Sequence, residues 1–317
     1  MKNITIKQLR AFIAVSKERN FTRAANTLHL SQSALTIAIR QLEAEINLKL
    51  FDRTTRSVHL TSHAAMFLPV AERLLHDLSR SLDNLSALAD RQKGNVVAAA
   101  SASFLCCILA PTVAKVHKRF PGIHVKLLNT PDNLARRVQE EEIDFGITNV
   151  RRAPHGLESF PFMEDVFGVV CPADHPLARK PGVLSWEDLE GTPMVSMPDG
   201  TQTREIIASH AEIAHIVGTP ICEASSIFAL GAMIECGMGV AAVPAQVSRA
   251  IVSDKLVYRP LRDPQLRRML SVIKRQGRSL SPAAVEVLRF MMDELIAEKS
   301  ALIDINVEKD EFVANFT

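Results

Sequence analysis

The chain has 317 residues, more than one ordinary domain holds, and it fits two or three. Hydrophobic residues make up 47% of it, no apolar run approaches the roughly 20 residues that span a bilayer, and the first ten residues lack the apolar core of a signal peptide. Its five cysteines, an odd number without CxxC spacing, argue against a disulfide framework. We therefore expect a soluble, cytoplasmic protein that contacts no membrane.

Charge is distributed unevenly along the chain. Residues 1–62 contain ten Lys/Arg and four Asp/Glu, a net charge of +6, whereas the remaining 255 residues carry a net charge of −4. A basic end on an acidic body is expected if that end binds the phosphate backbone of nucleic acid. The alternative is a basic face that is merely solvated.

The first 46 residues predict three short helices, each preceded by a residue that can cap it. They are residues 6–16 after Thr5, residues 23–29 after Thr22, and residues 32–46 after Ser31. Because only the tight turn Leu30-Ser31 separates the second and third helices, the pattern is typical of a helix-turn-helix.

A basic hairpin at residues 51–61 follows the third helix. In this position a hairpin is a wing, and Arg53 and Arg56 at its tip suit contacts to the DNA backbone or the minor groove. Residues 1–62 are therefore predicted to form a winged helix-turn-helix that binds DNA.

Apolar residues between Ala64 and Ala89 recur at alternating steps of four and three, a heptad pattern that predicts one long helix paired with another. We expect residues 63–92 to be a linker helix that forms a homodimer, because one small reading head gains affinity from a second half-site. The predicted seam contains Leu68, Leu75, Leu78, Leu82 and Leu85. The alternative is a long helix packed on its own domain.

From residue 93 onward, strand and helix patterns alternate, which predicts a parallel sheet flanked by helices. Strands are predicted at residues 95–100, 123–128, 144–148, 166–171, 194–196, 221–223 and 240–243. Helices are predicted at about residues 103–120, 133–141, from 203, at 226–236 and at 282–297. The tail from Lys299 lacks clear periodicity, so residues 301–317 are predicted to be a loosely held extension.

Several motifs resemble those of the LysR-type transcriptional regulators. The densest run is residues 21–36 (FTRAANTLHLSQSALT), followed by 39–43 (IRQLE), 50–53 (LFDR) and 60–61 (LT); weaker matches are 120–122 (FPG), 143–144 (ID), 175–177 (HPL) and 237–244 (GMGVAAVP). The resemblance covers roughly residues 4–296. It implies a ligand-responsive transcription regulator and not an enzyme, which binds double-stranded DNA at a two-fold promoter site, contacts RNA polymerase, forms a homodimer and then a homotetramer, and needs no cofactor.

The resemblance also implies an α+β multidomain fold: the winged helix-turn-helix, the long linker helix, and a two-lobed α/β effector domain like the periplasmic binding proteins. That domain would span residues 93–300, with lobe I at about 93–164 and 268–300 and lobe II at about 165–267.

The family pattern places a recognition helix in the major groove. Gln32, Ser33, Thr36 and Ile37 would face base edges, Gln32 suiting an adenine edge and the methyl groups of Thr36 and Ile37 suiting thymine methyls. Arg40 would hold phosphate, and Thr22 and Arg23 complete the predicted DNA-binding set. The sequence departs from the family at five places: Ser33 replaces a common Pro, Ile37 a common polar residue, and Asn47 and Glu141 common glycines, and a usual Gly is absent near residues 62–64.

A ligand cleft is expected between the lobes, where strand ends and helix amino termini attract a carboxylate. The predicted effector-binding residues are Ser101, Ser103, Thr130, Thr148, Asn149, Thr201 and Gln202. For each of them the alternative is simple capping of a helix.

A few features of the sequence could indicate other functions. Residues 237–242 match the GxGxxA dinucleotide fingerprint, but they follow a helix and precede a strand, the reverse of the required order. A redox-sensing regulator that uses cysteine, such as the pair Cys106-Cys107, remains an alternative, as does an enzyme or binding protein with a DNA-binding head. The histidines lack metal-ligand spacing, so no metal site is expected.

Overall fold

The computed structural model describes residues 3–53, 58–89, 93–129, 133–150, 153–298 and 300–317. The chain divides into two compact units, Met1–Leu85 and Ser86–Thr317. The elements that begin in the first unit, here called the head, are α1 (Ile6–Glu18), α2 (Phe21–Thr27), α3 (Gln32–Ile46), β1 (Phe51–Arg53), β2 (Val58–Leu60) and α4 (Ser62–Ala89).

The head packs around one apolar core. Phe12 of α1 lies 5.7 Å from Phe51 of β1 and 5.4 Å from Phe67 of α4, measured between ring centroids. Leu35 and Ile39 of α3 are fully buried in the same cluster. The helix-turn-helix and its hairpin therefore share a single core, as a winged helix-turn-helix requires.

Two of the three predicted caps are confirmed and one is wrong. The side chain of Thr5 accepts from the Gln8 N–H in a capping box, and that of Ser31 accepts from Ala34. However, α2 begins two residues earlier than predicted: Asn20 is its N-cap and accepts from the Arg23 N–H at 3.0 Å. Asn is at least as good an N-cap as Thr, so Thr22 lies within the first turn instead.

Helix α4 has two apolar faces, which corrects the predicted seam. Ala64 and Ala71 are buried in the core of the head, and Leu68 and Leu75 pack against that core. A heptad stripe also fits an amphipathic helix on its own domain, the alternative that the sequence left open. The exposed apolar residues are Met66 (77% exposed), Val70, Leu74 and Leu82, whereas Leu78 is half-buried and the side chain of Leu85 lies outside the described residues.

The second unit is mixed α/β. Its strands are β3 (Lys93–Ala100), β4 (Gly122–Asn129), β5 (Phe145–Thr148), β6 (Leu157–Pro172), β7 (Leu184–Ser185), β8 (Val195–Ser196), β9 (Cys222–Glu223), β10 (Ala241–Pro244), β11 (Leu256–Arg262), β12 (Arg267–Arg275) and β13 (Ile303–Ile305). Its helices are α5 (Ala102–Phe104), α6 (Ala110–Arg119), α7 (Leu134–Gln139), α8 (Pro176–Arg179), α9 (Gln202–Ala208), α10 (Ala211–Val217), α11 (Ile227–Glu235), α12 (Ala245–Ser248), α13 (Pro282–Ala297) and α14 (Lys309–Ala314), with a π turn at Leu105–Leu109 and a 3₁₀ turn at Trp186–Leu189.

Strand β6 joins two lobes. Within the described residues one sheet runs in the order β4-β3-β5-β12-β6-β11-β7, with β10 and β13 also paired to β6. Residues 157–166 of β6 pair with β12, and residues 168–172 pair with β11. Lobe I thus contains β3, β4 and β5 and lobe II contains β7 to β11, which confirms the predicted two-lobed fold.

The C-terminal segment is an integral part of lobe I, so the prediction of a loosely held extension is wrong. Strand β13 pairs antiparallel with β6, and Phe312, Val313 and Phe316 are buried in the main core. The ring of Phe316 lies 4.8 Å from that of Phe160. The elements here are three and six residues long, too short for helical or strand periodicity to appear in the sequence.

Candidate nucleic-acid interface and ligand cleft

The outer face of α3 presents most of the predicted base-reading residues. Gln32, Ser33, Ile37 and Arg40 are exposed, and Ile37 is an apolar side chain left 55% exposed on this face. Thr36 is half-buried, and its hydroxyl donates to the Gln32 carbonyl oxygen at 2.8 Å. The hydroxyl of Thr36 is thereby satisfied by the backbone, and its methyl group remains for apolar contact.

Two other predicted contacts already have partners within the head. The hydroxyl of Ser33 lies 3.0 Å from that of Ser31, the N-cap of α3. Arg23 donates to the Glu18 carbonyl oxygen at 2.6 Å, and its Nε lies 3.4 Å from the Glu18 carboxylate. A DNA phosphate would therefore compete with Glu18 for Arg23, whereas Thr22 is simply exposed.

Glu43 fixes the connection between α3 and the hairpin, a role that sequence reasoning missed. Its carboxylate is buried and accepts from the Leu50 N–H at 2.9 Å. Asn47 ends α3 in the left-handed conformation with φ 56°, as expected of the residue that replaces glycine there. Thr61 then donates to the Lys49 carbonyl oxygen, so the end of the hairpin is held to its start, which Glu43 joins to α3. The signal available in the sequence was that Glu43 is one of only four acidic residues among the ten basic residues of positions 1–62.

The hairpin itself is confirmed, with Phe51 opposite Leu60 in an antiparallel pair. Arg53 ends β1, but its side chain and the whole of Arg56 lie outside the described residues. Their contacts with DNA therefore remain predictions.

The predicted effector residues of lobe I begin at the turn after β3. Ser101 is exposed, Ser103 is buried, and their hydroxyl oxygens lie 3.3 Å apart. Ser101 makes no side-chain capping bond to the helix that follows, so the capping alternative does not describe it. Thr130 lies outside the described residues, and Asn149 is half-buried just after β5.

One hydrogen bond spans the two lobes at this cleft. Gln202, the first residue of α9, donates from Nε2 to the Thr148 hydroxyl at the end of β5 at 2.6 Å. Thr201 makes no side-chain capping bond and donates instead to the Pro198 carbonyl oxygen at 2.8 Å. Thr148 and Gln202, which were both predicted to bind the effector, are therefore in direct contact.

A buried ion pair lies where the lobes share β6. Arg268 of β12 donates to both carboxylate oxygens of Asp165 at 3.0 and 2.8 Å, and the Gln246 backbone N–H donates to Asp165 at 2.9 Å. Burial raises the pKa of the neighbouring Tyr258, whose hydroxyl donates to the Val166 carbonyl oxygen. Sequence reasoning missed this cluster because its residues lie up to 103 positions apart.

The competing functions find little support in the second unit. Burial raises the pKa of the Cys107 thiol, although Arg249 lowers it, and burial raises that of Cys171 to about 11, so both thiols resist forming the reactive thiolate. At the GxGxxA match, α11 ends at Glu235 before β10, and a Cβ on Gly239 would lie 2.3 Å from the Pro193 carbonyl oxygen. That glycine therefore serves backbone packing.

The described part of the chain contains no group of three His, Cys, Asp or Glu residues placed to hold a metal ion. None of the described helices is both long enough and apolar enough to cross a membrane.

These features define the class of DNA-binding transcriptional regulators that have a separate ligand-binding unit. Residues 6–65 match the model of the bacterial regulatory helix-turn-helix proteins of the lysR family, and residues 89–296 match the LysR substrate binding domain. The chain therefore belongs to the LysR family of regulators, the family that its sequence motifs resemble.

Relatives of similar length are also regulators. The chain is 27% identical over 305 residues to the uncharacterized HTH-type transcriptional regulator YbhD of Escherichia coli, covering 96% of each chain. It is 26% identical to the RuBisCO operon transcriptional regulator of Allochromatium vinosum, covering 92% of this chain and 97% of that protein.

Solved structures share the fold. Full-length CbnR in complex with its target DNA matches with a TM-score of 0.68 at 22% identity, over 92% of this chain and all of CbnR. A C206 mutant of Corynebacterium glutamicum OxyR matches with a TM-score of 0.61 at 19% identity, over 99% of this chain and 96% of that one.

Proposed function

We propose that this chain is a ligand-responsive regulator in which two heads read a two-fold promoter site and a small organic acid in the interlobe cleft changes transcription. Residues 1–62 read the DNA, residues 63–92 form the dimer, and the second unit, including the C-terminal segment, senses the ligand. The Gln202–Thr148 hydrogen bond carries this proposal, because it joins the two lobes at the place where a ligand would bind.

DNA reading is assigned to the exposed face of α3. Gln32 has both a donor and an acceptor for an adenine edge, and the exposed apolar Ile37 suits a thymine methyl.

Gln32→Ala is expected to reduce discrimination at one base position by about 1–3 kcal/mol, measured by binding to a set of single-base operator variants. Arg40→Ala is the matched control on the same helix: it should weaken all sequences alike and lower the salt slope by about one phosphate contact. Uniform weakening by the Gln32 variant would contradict the assignment.

Dimerisation is assigned to the exposed apolar stripe of α4 formed by Met66, Val70 and Leu74. These three residues share one face because they recur every four positions, and pairing with a second α4 would remove them from water. Leu74→Gln is expected to weaken self-association by about 1.5–3 kcal/mol, the value of one buried leucine, as measured by sedimentation equilibrium.

Arg73→Gln is the matched control, because it places the same residue one position away on α4. Equal effects of the Leu74 and Arg73 variants would exclude this stripe as the dimer contact. Assembly of dimers into a tetramer and contact with RNA polymerase belong to the same proposal and rest on the family resemblance alone.

The ligand is proposed to be a small carboxylate. The hydroxyls of Ser101 and Ser103 supply donors beside a turn that opens a helical segment, and no acidic side chain is among the predicted contacts. A ligand that displaces the Gln202–Thr148 hydrogen bond would shift the equilibrium between two relative orientations of the lobes. That shift would change the spacing of the two heads on DNA.

The experiment is a footprint and DNA-bend measurement on the upstream promoter DNA with the full-length protein, with and without a panel of small organic acids. An acid that raises the unfolding temperature should also change the footprint or the bend, and Ser103→Ala should reduce both effects. An acid that binds and leaves both unchanged would contradict the proposal, as would the absence of any sequence-selective footprint.

A further inference from the structure

The side chain of Gln246 is buried without a hydrogen-bond partner. It is fully inaccessible to solvent, and within the described part of the chain neither the oxygen nor the nitrogen of its carboxamide has a partner. Its backbone is firmly placed, because the Gln246 N–H donates to Asp165 at 2.9 Å. Buried polar groups in native proteins are almost always paired, so this amide calls for a partner that the protein itself does not supply.

Gln246 lies on a short helix of lobe II that contacts the helix of lobe I carrying Ser103. It is the second residue of α12 in lobe II, and α12 packs against α5 of lobe I. Ala245 belongs to the same core cluster as Phe104, and Ala102 packs against the cluster that contains Val247. The helix that carries Gln246 therefore contacts the helix that carries Ser103, which is itself buried.

The surroundings of Gln246 favour an uncharged partner. The charge of Asp165 is balanced by Arg268, which holds both of its carboxylate oxygens. Burial raises the pKa of Tyr258 in the same cluster, a sign that a further charge would be costly there. A carboxamide offers donors and an acceptor together, so its complement is a neutral group with both.

We propose that Gln246 is a specificity-determining residue of the effector site, and that it binds a carboxamide or hydroxyl at the end of the ligand opposite its carboxylate. The inference rests on the proposed function, in which the hydroxyls of Ser101 and Ser103 bind the carboxylate of the ligand. It narrows the effector class from small carboxylates to acids with a neutral polar end.

The first experiment tests whether the amide is unpaired in the free protein. Gln246→Met, of similar size, is expected to leave the unfolding temperature of the second unit unchanged or to raise it, because no hydrogen bond is lost. Gln8→Met in the head is the comparison variant: Gln8 is also buried, but its Oε1 accepts from the Thr5 N–H at 2.8 Å, so that variant should lower the unfolding temperature of the head. A marked loss of stability in Gln246→Met would show that water or protein already satisfies the amide, and would overturn the proposal.

The second experiment tests recognition with compounds of one shape. Succinamate, succinate and 4-methylpentanoate end in a carboxamide, a carboxylate and an isopropyl group, and they are titrated by calorimetry into the full-length protein, together with their one-carbon-shorter and one-carbon-longer analogues. At the fitting length, the amide should bind the wild type about tenfold more tightly than the other two, as one added hydrogen bond predicts. Gln246→Met should lose the preference for the amide over the isopropyl compound.

An amide preference that survives in Gln246→Met would overturn the proposal, and so would failure of every amide in the series to bind. Failure of the proposed function is a separate result: it would be seen as binding that Ser103→Ala leaves unchanged, or as a footprint that no bound acid alters. The two hypotheses therefore fail in different measurements.

Discussion

Replacing Phe316 by alanine is expected to lower the free energy of unfolding of the second unit by about 3–5 kcal/mol. Phe316 is the penultimate residue of the chain, yet its side chain is fully buried and its ring lies 5.0 Å from that of Phe312. Its backbone N–H and carbonyl are also engaged, the latter accepting from the Leu280 N–H at 3.0 Å. Removal of the ring leaves a cavity in the core of lobe I.

Denaturant unfolding followed by circular dichroism measures this effect. Glu311→Ala is the control, because Glu311 is exposed on the short helix α14 that directly precedes Phe316, and its replacement should change stability by less than about 0.5 kcal/mol. If Phe316→Ala unfolded at the wild-type denaturant concentration, the C-terminal segment would not be part of the core.

Replacing Arg268 by methionine should be about as damaging, at about 3–5 kcal/mol. Arg268 and Asp165 are both almost fully buried, so the single variant leaves an uncompensated carboxylate inside the protein. The double variant Asp165→Asn/Arg268→Met removes both charges, and the Asn oxygen can still accept from the Gln246 N–H. We expect it to recover most of the lost stability.

A double-mutant cycle under equilibrium denaturation gives the interaction energy directly. A double variant less stable than Arg268→Met alone would contradict this expectation. It would mean that the Asp165 carboxylate stabilises the junction of the lobes even without Arg268. Because β6 runs from one lobe to the other at this point, the same variants should also be compared for ligand-induced change in DNA bend.

Local sequence signals predicted the head well. Ser31 marks the start of α3, and this helix has the bounds that its cap and apolar spacing indicated. The exposed face of α3 follows from the same spacing. The seam of α4 could not be resolved, because Leu68 and Leu75 satisfy a heptad whether they face a partner or the head's own core.

The second unit was harder to predict, because its decisive contacts are between distant residues. Strands β11 and β12 were not predicted, and β6 was found only over residues 166–171; its first half carries Glu158, Pro161 and Glu164, which hide a strand pattern. The individual residues Thr148 and Gln202 were predicted from their places after a strand and before a helix. Their direct contact, the Asp165–Arg268 pair and the unpaired Gln246 amide depend on tertiary packing, which periodicity does not report.

The interleaving of lobe I has a consequence for synthesis. The core of the head is complete once residue 75 has been made, whereas the core of lobe I combines Val96 near its start with Phe316 at the end of the chain. Domains fold from the N-terminus as they leave the ribosome, so the head can fold many residues before the sensor has all its parts. We expect a chain that stops before this C-terminal segment to keep a folded, basic DNA reader but to lack a folded sensor, so only chains that contain the segment can respond to ligand.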